Sequence, residues 1–438
     1  MSKGLLCLNF LAMKRIVLVW MVAGIMMSGS LFGQPTLKLQ KAETKEFVKD
    51  TVIDPNPHPI HLSDAQKTFV AGNNAFTLNF LKTVNASDAA DKSFIYSPLS
   101  ITYVLSMVND ASVGKTEKEL EKVLGFGEGG IKEVNEFCKT LIDSLPNVDR
   151  QVQLHIANAI FVNQNNQLKE PFQREMRKYY SAMAESLDFT SQASLNRING
   201  WCNARTKGMI PEILEKLDPA VISYLLNAIY FKAGWTNEFS ESLTKNEPFN
   251  TPKGKKELPM MRQENNFRYA KNDIFALVDL PYSNQMWSMT VMLPEPGKTT
   301  NDVIEYLAEN GLSACLKSAY AQKVDLKLPR FETESETEDL IETLKTMGIT
   351  RVFTDGLAEI PNMCDVDVYI GMMLQKARIK VNESGSEAAA VTVAGMMKCT
   401  SVPRPEPPVV FHADRPFVYV IREASTGVIL FVGKYTGQ

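Results

Sequence analysis

The chain has 438 residues, of which 45% are hydrophobic and 22% are charged, with Gly 24 and Pro 22 spread along it. This composition is that of a globular protein and excludes collagen-like, coiled-coil and wholly disordered chains. Lys and Arg total 47 against 50 Asp and Glu, a formal charge of −3, so the chain lacks the positive excess that neutralises phosphates and we expect no nucleic-acid partner.

The amino terminus has the pattern of an export signal. The sequence Met-Lys-Arg at 13–15 is followed by an apolar run at 16–27 and by Ser-Gly-Ser at 28–30. This order is typical of a cleaved signal peptide, which we predict at 1–33, so we expect a secreted protein, extracellular or periplasmic. The apolar run is about a dozen residues, short of the ~20 that cross a bilayer, and predicts no membrane span.

The segment that follows the signal is predicted to be a linker. Residues 34–60 are polar, and their last part, 54–59, contains three prolines that forbid a helix and favour an extended tether. We therefore predict one folded domain over 61–438.

Helices dominate the first half of this domain and strands the second. Ser63 with Gln66 and Thr116 with Glu119 match the capping-box pattern and predict two helix starts. Strands are predicted in six apolar or alternating runs, at 157–162, 225–231, 287–293, 324–328, 373–381 and 417–435. Regular strand–helix alternation is absent from this order, so a mixed α+β domain is predicted.

Enzyme, cofactor and metal signals are weak. Glycines at 125, 127 and 130 match a dinucleotide fingerprint but follow a helical pattern instead of a strand. His155 and His412 are the only candidates for a hydrolase triad within the domain beyond the tether, and no Gly-x-Ser-x-Gly turn occurs. The cysteines are too widely spaced for a zinc or thioredoxin-like site, and we predict isolated buried thiols for the first four beyond the signal, Cys138, Cys202, Cys315 and Cys364. No cofactor and no metal are expected.

The most informative segment follows the predicted strand at 373–381. Residues 383–394 read Glu-Ser-Gly-Ser-Glu-Ala-Ala-Ala-Val-Thr-Val-Ala, in which small loop residues run into a stretch with strand propensity. Such a segment is compatible with either a loop or a strand. Together with residues 411–417 and the closing hairpin at 428–435, it closely resembles the serpin family.

Other landmarks of that family occur in the expected order. They are Phe-Ile-Tyr-Ser-Pro-Leu-Ser-Ile at 94–101, the Asn-x-Trp…Thr-x-Gly-x-Ile pattern at 199–210, Asn-Ala-Ile-Tyr-Phe-Lys-Ala-Gly-Trp at 227–235 and Leu-Pro-Arg-Phe at 328–331. The resemblance covers nearly all of 61–438. It implies a serpin fold of the α+β class, with mixed β-sheets, about eight or nine helices and an exposed reactive-centre loop at about 383–410.

The resemblance also implies a function that is not enzymatic. Serpins are suicide inhibitors: a target endopeptidase of the serine class, with the cysteine class second, cleaves the loop and is trapped covalently as the loop inserts into the main sheet. We expect a monomer. The alternative is a non-inhibitory serpin-fold protein with a binding or chaperone-like role.

Three sets of site residues follow from the resemblance. Counting from Glu383 places the reactive bond at Cys399–Thr400, with Lys398–Cys399 as the alternative. The loop hinge comprises Glu383, Gly385, Ser386, Glu387, Ala388, Ala389 and Ala390. The sheet-opening region comprises Ser97, Ser100, Asn199, Trp235 and Gln375, and a hydrogen-bonded link among Ser97, Asn199 and Gln375 is expected.

Two features of these sets are testable in the chain itself. The family usually carries His where this chain has Gln375, so the pH response of that position is expected to be lost. Strand alternation predicts which loop side chains are buried on insertion, namely Ser386, Ala388, Ala390, Thr392, Ala394 and Met396. The buried set carries no charge.

Overall fold

The computed structural model describes residues 56–86, 91–127, 130–335, 340–386 and 407–437. The predicted signal peptide at 1–33 lies outside these residues, and so do Glu387 to Ala390 of the hinge and the candidate reactive-bond residues at 398–400. In the described part, no helix is long and apolar enough to cross a membrane.

Nine α-helices occur in the described ranges. They are α1 Asp64–Ala86, α2 Pro98–Ala111, α3 Gly114–Leu124, α4 Ile131–Ser144, α5 Glu170–Tyr180, α6 Gln192–Arg205, α7 Thr300–Asn310, α8 Leu312–Lys317 and α9 Ile341–Thr346. The fifteen strands of the same ranges are β1 Phe94–Tyr96, β2 Gln153–Asn163, β3 Met183–Leu187, β4 Ser223–Gly234, β5 Lys245–Thr251, β6 Gly254–Lys271, β7 Phe275–Tyr282, β8 Trp287–Pro294, β9 Tyr320–Pro329, β10 Phe331–Glu334, β11 Met372–Asn382, β12 Gly385–Ser386, β13 Val409–His412, β14 Phe417–Glu423 and β15 Ile429–Tyr435. All six predicted strand runs fall on strands, and the run at 417–435 divides into β14 and β15.

The two predicted helix starts have different outcomes. The capping box before α1 is confirmed, because the amide of Ser63 donates to Gln66 Oε1 at 3.0 Å and the amide of Gln66 donates to Ser63 Oγ at 3.2 Å. The second is wrong, because α3 begins at Gly114, ahead of Thr116. The carboxylate of Glu359 accepts the first-turn amides of α3 instead, so a side chain distant in sequence satisfies this helix end.

The end of the predicted tether lies against the domain. The amide of His58 donates to the carbonyl of Val148 at 3.0 Å, and that of Ile60 donates to Ser425 Oγ at 3.0 Å. Hydrogen bonds donated by these backbone amides therefore fix the chain a few residues before α1 begins.

The strands form two sheets. The main sheet has six strands in the order β10–β11–β12–β4–β2–β3, and the second has nine, with β1–β15–β14–β8–β7–β6–β9–β13 as its path and β5 paired with β6. Helix α2 is buried along most of its length and contacts β2 and β4 of the main sheet as well as β15 of the second. Helix α6 contacts β2 and belongs to a separate buried cluster, which includes Trp201 and Phe161.

The central strands β4 and β11 pair in two ways. Over Met372–Ala377 of β11 and Tyr224–Ile229 of β4, the two strands pair directly and in parallel. Farther along, the two residues of β12 lie between them and pair antiparallel with both. The main sheet is thus closed at one end and holds a short extra strand at the other.

Candidate functional site

The candidate site is the end of the main sheet at which β12 separates β4 from β11. The chain leaves β11 at Asn382, turns at Glu383 and Ser384, and returns as β12. Ser386 lies opposite Ala233 of β4 and Val381 of β11. Because β12 runs back toward the closed end, a strand that continued it would lie between the facing edges of β4 and β11.

Glu383 is held at the turn by two side chains. Arg330, between β9 and β10, donates from Nε to both carboxylate oxygens at 2.7 Å, and the hydroxyl of Thr244 donates to one of them. The side chain of Glu383 is 5% exposed and that of Arg330 is 43% exposed. Burial by itself raises the pKa of Glu383, but the hydrogen bonds from Thr244 and Arg330 outweigh it and the pKa lies below its ordinary value. The carboxylate is therefore ionised at neutral pH.

Trp235 binds the same turn through its backbone and its ring. Its amide donates to the carbonyl of Ser384 at 2.9 Å, and its indole Nε1 donates to the carbonyl of Asn382 at 3.0 Å. The amide of Phe239 donates to the carbonyl of Glu383 at 2.9 Å. The structure thus brings Trp235 to the hinge, together with Glu383, Gly385 and Ser386.

Tyr282 is a site residue that the sequence did not reveal. Its hydroxyl lies 2.7 Å from Ser386 Oγ, and both side chains are fully buried. Its ring stacks on Trp235 with centroids 4.4 Å apart. Burial raises the pKa of Tyr282 well above its ordinary value, so the phenol stays protonated and is able to donate or accept. Tyr282 lies at the end of β7, far from the loop in sequence, and no local pattern marks it.

Gln375 forms a buried hydrogen-bonded link with Ser97. Its Oε1 accepts from the Ser97 amide at 2.8 Å and its Nε2 donates to the Ser97 carbonyl at 3.0 Å. The same Nε2 donates to Asn227 Oδ1 at 3.0 Å, and Asn227 Nδ2 donates to Asn158 Oδ1 at 2.8 Å. Since Asn158, Asn227 and Gln375 face one another in register on β2, β4 and β11, the amides cross the centre of the sheet.

The prediction that Asn199 takes part in this link is wrong. Asn199 lies on α6, and its side chain bonds the backbone of Ile213 and Leu214. The link uses Asn227 instead, which the sequence could have indicated, because it is a polar residue inside the apolar run at 225–231. Ser100 is buried in the first turn of α2, and its hydroxyl has no hydrogen-bond partner among the described residues.

The four described cysteines are free and buried, as predicted. Burial raises the pKa of Cys138 and Cys202 to about 12 and that of Cys315 and Cys364 to about 11, so these thiols are poor nucleophiles at neutral pH.

The two candidate triad histidines are placed apart. His155 stacks on Tyr230, with centroids 6.0 Å apart. His412 Nε2 lies 3.2 Å from Asp325 Oδ2, joining β13 to β9. The described part of the chain shows no hydroxyl nucleophile bonded to either ring.

A family model described as "Serpin (serine protease inhibitor)" matches residues 71–437. Serpin B6 of Macaca fascicularis is 31% identical over 376 residues, which are 83% of this chain and 98% of the relative. The native structure of the thermophilic serpin tengpin matches with a TM-score of 0.78 and 27% identity, over 87% of this chain and 97% of tengpin. Human thyroxine-binding globulin in complex with its ligand matches with a TM-score of 0.73 and 26% identity, over 84% and 97%.

The fold and the hinge define a protein whose main sheet holds a short strand, β12, between its two central strands β4 and β11. This chain belongs to the serpin family. Members of this family are generally protease inhibitors and not enzymes, and some members are non-inhibitory.

Proposed function

We propose that this protein is a suicide inhibitor of serine endopeptidases, with cysteine endopeptidases as a second target class. The observation that carries the proposal is the position of β12, which lies between β4 and β11 and runs toward the part of the sheet where these two strands pair directly. A continued strand gains about a dozen ladder bonds, each contributing ~0.5–1.5 kcal/mol, so completion of the sheet is strongly favourable. The intact chain is then a kinetically trapped state.

The proposed reaction uses the nucleophile of the protease. A Ser or Cys of the protease attacks the carbonyl carbon of Cys399, an ester or thioester forms, and the bond to Thr400 breaks as the new amine takes a proton. The freed loop inserts between β4 and β11 and carries the acylated protease with it. Distortion of the protease then prevents hydrolysis of the acyl bond.

The residue before the reactive bond sets the class of target. Cys399 suits the small or medium pocket of an elastase-like or subtilisin-like protease, whereas cleavage after Lys398 suits a trypsin-like one. We propose Cys399–Thr400, because the depth of insertion is counted from Glu383 on the hinge side. We also propose that the protein is exported, which the pattern at 1–33 supports, and that it acts as a monomer, as the resemblance implies.

A panel of purified proteases tests the proposal. Incubation with an elastase-like, a subtilisin-like and a trypsin-like enzyme is followed by a denaturing gel and by mass spectrometry of the small carboxy-terminal fragment. A covalent adduct that survives denaturation and a fragment that begins at Thr400 are expected. Clean cleavage without an adduct for every protease contradicts inhibition, and a fragment that begins at Cys399 for every inhibited protease contradicts the assigned bond.

A non-inhibitory binding role is the second candidate. A groove of about 640 Å³ lies between α1, α8 and the turn that joins β14 to β15, and its lining includes Leu78, Leu312 and Arg422. Human thyroxine-binding globulin, a structural neighbour, is a serpin in complex with a small molecule. A non-inhibitory binding role predicts that a protease cleaves the loop without forming a covalent adduct with the protein. It also predicts that a small apolar ligand raises the Tm of the protein.

A further inference from the structure

A cavity lies on one face of the nine-stranded sheet. Its volume is about 350 Å³, and residues of β6, β7, β8 and β14 line it. The strand register brings Arg422 of β14 opposite Ser288 of β8, and Ser288 opposite Pro281 of β7, so these residues share a face of the sheet. Four neutral polar residues also line the cavity, namely Thr236, Asn237, Asn266 and Gln285.

The charges of the residues that line this cavity do not balance. Arg422 Nη2 donates to Asp279 Oδ2 at 2.6 Å, and both side chains are 7% exposed. The other oxygen of Asp279 accepts from the hydroxyl of Thr290 at 2.7 Å. The guanidinium of Arg268 lies 4.0 Å from the same carboxylate and is 47% exposed. Two cations therefore face one carboxylate, and one positive charge is left over.

Two buried donors of the same cluster lack an acceptor. They are Nε of Arg422 and the hydroxyl of Ser288, and neither has a hydrogen-bond partner among the described residues. A guanidinium nitrogen only donates, and a buried donor without an acceptor costs about 1–3 kcal/mol. The hydrogen bonding of this cluster is therefore incomplete until an acceptor enters the cavity.

We propose that this cavity binds a small organic acid whose carboxylate lies at Arg422, Arg268 and Ser288. A carboxylate has the single negative charge that balances the cluster, and it accepts paired hydrogen bonds from a guanidinium. The cavity has room for more than the anionic group, because its volume is roughly ten times the ~30 Å³ share of one molecule in liquid water. The four neutral polar residues match a ligand that also bears hydroxyl groups. This site does not depend on the proposed inhibitory function.

The cavity adjoins the groove of about 640 Å³ between α1 and α8, and Arg268 and Arg422 line both. Ser288 lines the cavity and not the groove, whereas Ser313 of α8 lines the groove and not the cavity. Substitutions at these two serines therefore distinguish the two places at which an acid could bind.

Calorimetric titration of the full-length protein with acetate, lactate and gluconate tests the proposal. The ionic strength is held constant, because added salt screens charged groups. Saturable binding of one equivalent of acid is expected, and sorbitol, which resembles gluconate but lacks the carboxylate, should not bind. Inorganic phosphate is titrated in parallel. Failure of all three acids to bind saturably overturns the inference, and so does phosphate that binds more tightly than every acid.

Variants locate the bound acid. Ser288→Ala removes a hydroxyl that bonds no described residue, so it should fold like the parent and raise the Kd of the acid by about 3- to 10-fold. Arg268→Gln removes the surplus charge without breaking the buried ion pair and should raise Kd by about 10-fold or more. Thr77→Val is the matched control, because the hydroxyl of Thr77 on α1 is also buried and unpartnered among the described residues.

The control variant and Ser313→Tyr, which obstructs the groove, should keep Kd within about twofold of the parent. Thermal unfolding of each variant checks that it is folded. An unchanged Kd in Ser288→Ala, or loss of binding in Ser313→Tyr, overturns the assignment of the acid to the cavity. The test reads binding alone, so its outcome is independent of whether the protein inhibits any protease.

Discussion

Arg330 and Glu383 connect the start of the loop to the edge of the main sheet. The guanidinium Nε of Arg330 donates to both carboxylate oxygens at 2.7 Å, and Glu383 is almost fully buried. Since Arg330 precedes β10 and Glu383 follows β11, the pair fixes the turn from which β12 departs. Loss of Arg330 would leave the charged carboxylate of Glu383 without its counterion in a buried site, whereas loss of Glu383 would leave a partly exposed guanidinium.

Removal of the guanidinium should destabilise the intact protein. Arg330→Met is expected to lower the free energy of unfolding by about 1–3 kcal/mol, less than the ~3–5 kcal/mol of a fully buried pair because Arg330 is partly exposed. Urea unfolding at pH 7 measures the change. Lys67→Met is the matched control, since its ion pair with Asp64 is solvent-exposed, and an equal loss in both variants would contradict the special role of the pair.

The ion pair between Arg330 and Glu383 predicts that the free energy of unfolding depends on pH. The pKa of Glu383 in the folded protein lies below its ordinary value of 4.5, so the unfolded chain binds the proton more readily. The stabilisation is complete above the unfolded pKa and is lost as pH falls through the folded pKa. The stability advantage of the parent over Glu383→Gln should therefore be constant from pH 8 to about 5.5 and shrink below about 4.5. Denaturant titrations of both proteins check this, and an advantage that grows on acidification contradicts it.

Gln375→His should introduce a pH response that the parent lacks at this position. The amide oxygen of Gln375 accepts from the Ser97 amide, a role that a neutral imidazole can fill and a protonated one cannot. Burial also disfavours the charged ring and lowers its pKa in the folded state. The free energy of unfolding of the variant should be highest above the unfolded His pKa of ~6.5 and should fall by about 1–2 kcal/mol as pH drops toward 5. The difference in Tm between variant and parent across this range is the measurement; a flat difference refutes the prediction.

Substitutions at two neighbouring alanines distinguish an effect on loop insertion from other effects of a charge in the loop. Ala388 has the same parity as the buried Ser386, so Ala388→Asp should place an unpaired charge inside the sheet at a cost of roughly 2–5 kcal/mol and slow insertion. Ala389→Asp, on the opposite parity, is the matched control. The stoichiometry of inhibition should rise strongly for Ala388→Asp and little for Ala389→Asp. Equal stoichiometries in the parent and both variants would sink the insertion mechanism.

Cleavage of the loop should stabilise the protein. A nick between Val391 and Thr400, made by a protease that is not inhibited, frees the strand to complete the sheet between β4 and β11. We expect Tm to rise by at least about 10 °C, because the inserted strand adds many ladder bonds. Calorimetry of intact and nicked protein gives the answer, and equal values of Tm reject a metastable native state.

Several features of the site were within reach of the sequence. The alternation and small residues around 383–394 indicate a segment able to become a strand, of which the structure describes Gly385–Ser386 as β12. The capping pair Ser63 and Gln66 defines the first helix. Asn227 was also visible, as an amide in an otherwise apolar strand. The family motif at 199–210 favours Asn199 on α6 instead of Asn227. A sequence motif does not show which face of a sheet its helix covers, so the motif does not show that Asn199 bonds the backbone of Ile213 and Leu214.

The sequence by itself determined the class of fold, the position of most strands and the uncharged character of the loop side chains that share the parity of Ser386, because each of these depends on neighbouring residues along the chain. Only the tertiary structure decided that Tyr282 meets Ser386, that Arg330 meets Glu383 and that Glu359 caps α3. These contacts join residues separated by 53 or more positions. Sheet register and burial determine which of these residues meet. A buried polar group forms a hydrogen bond only with a partner that packing brings within hydrogen-bond distance.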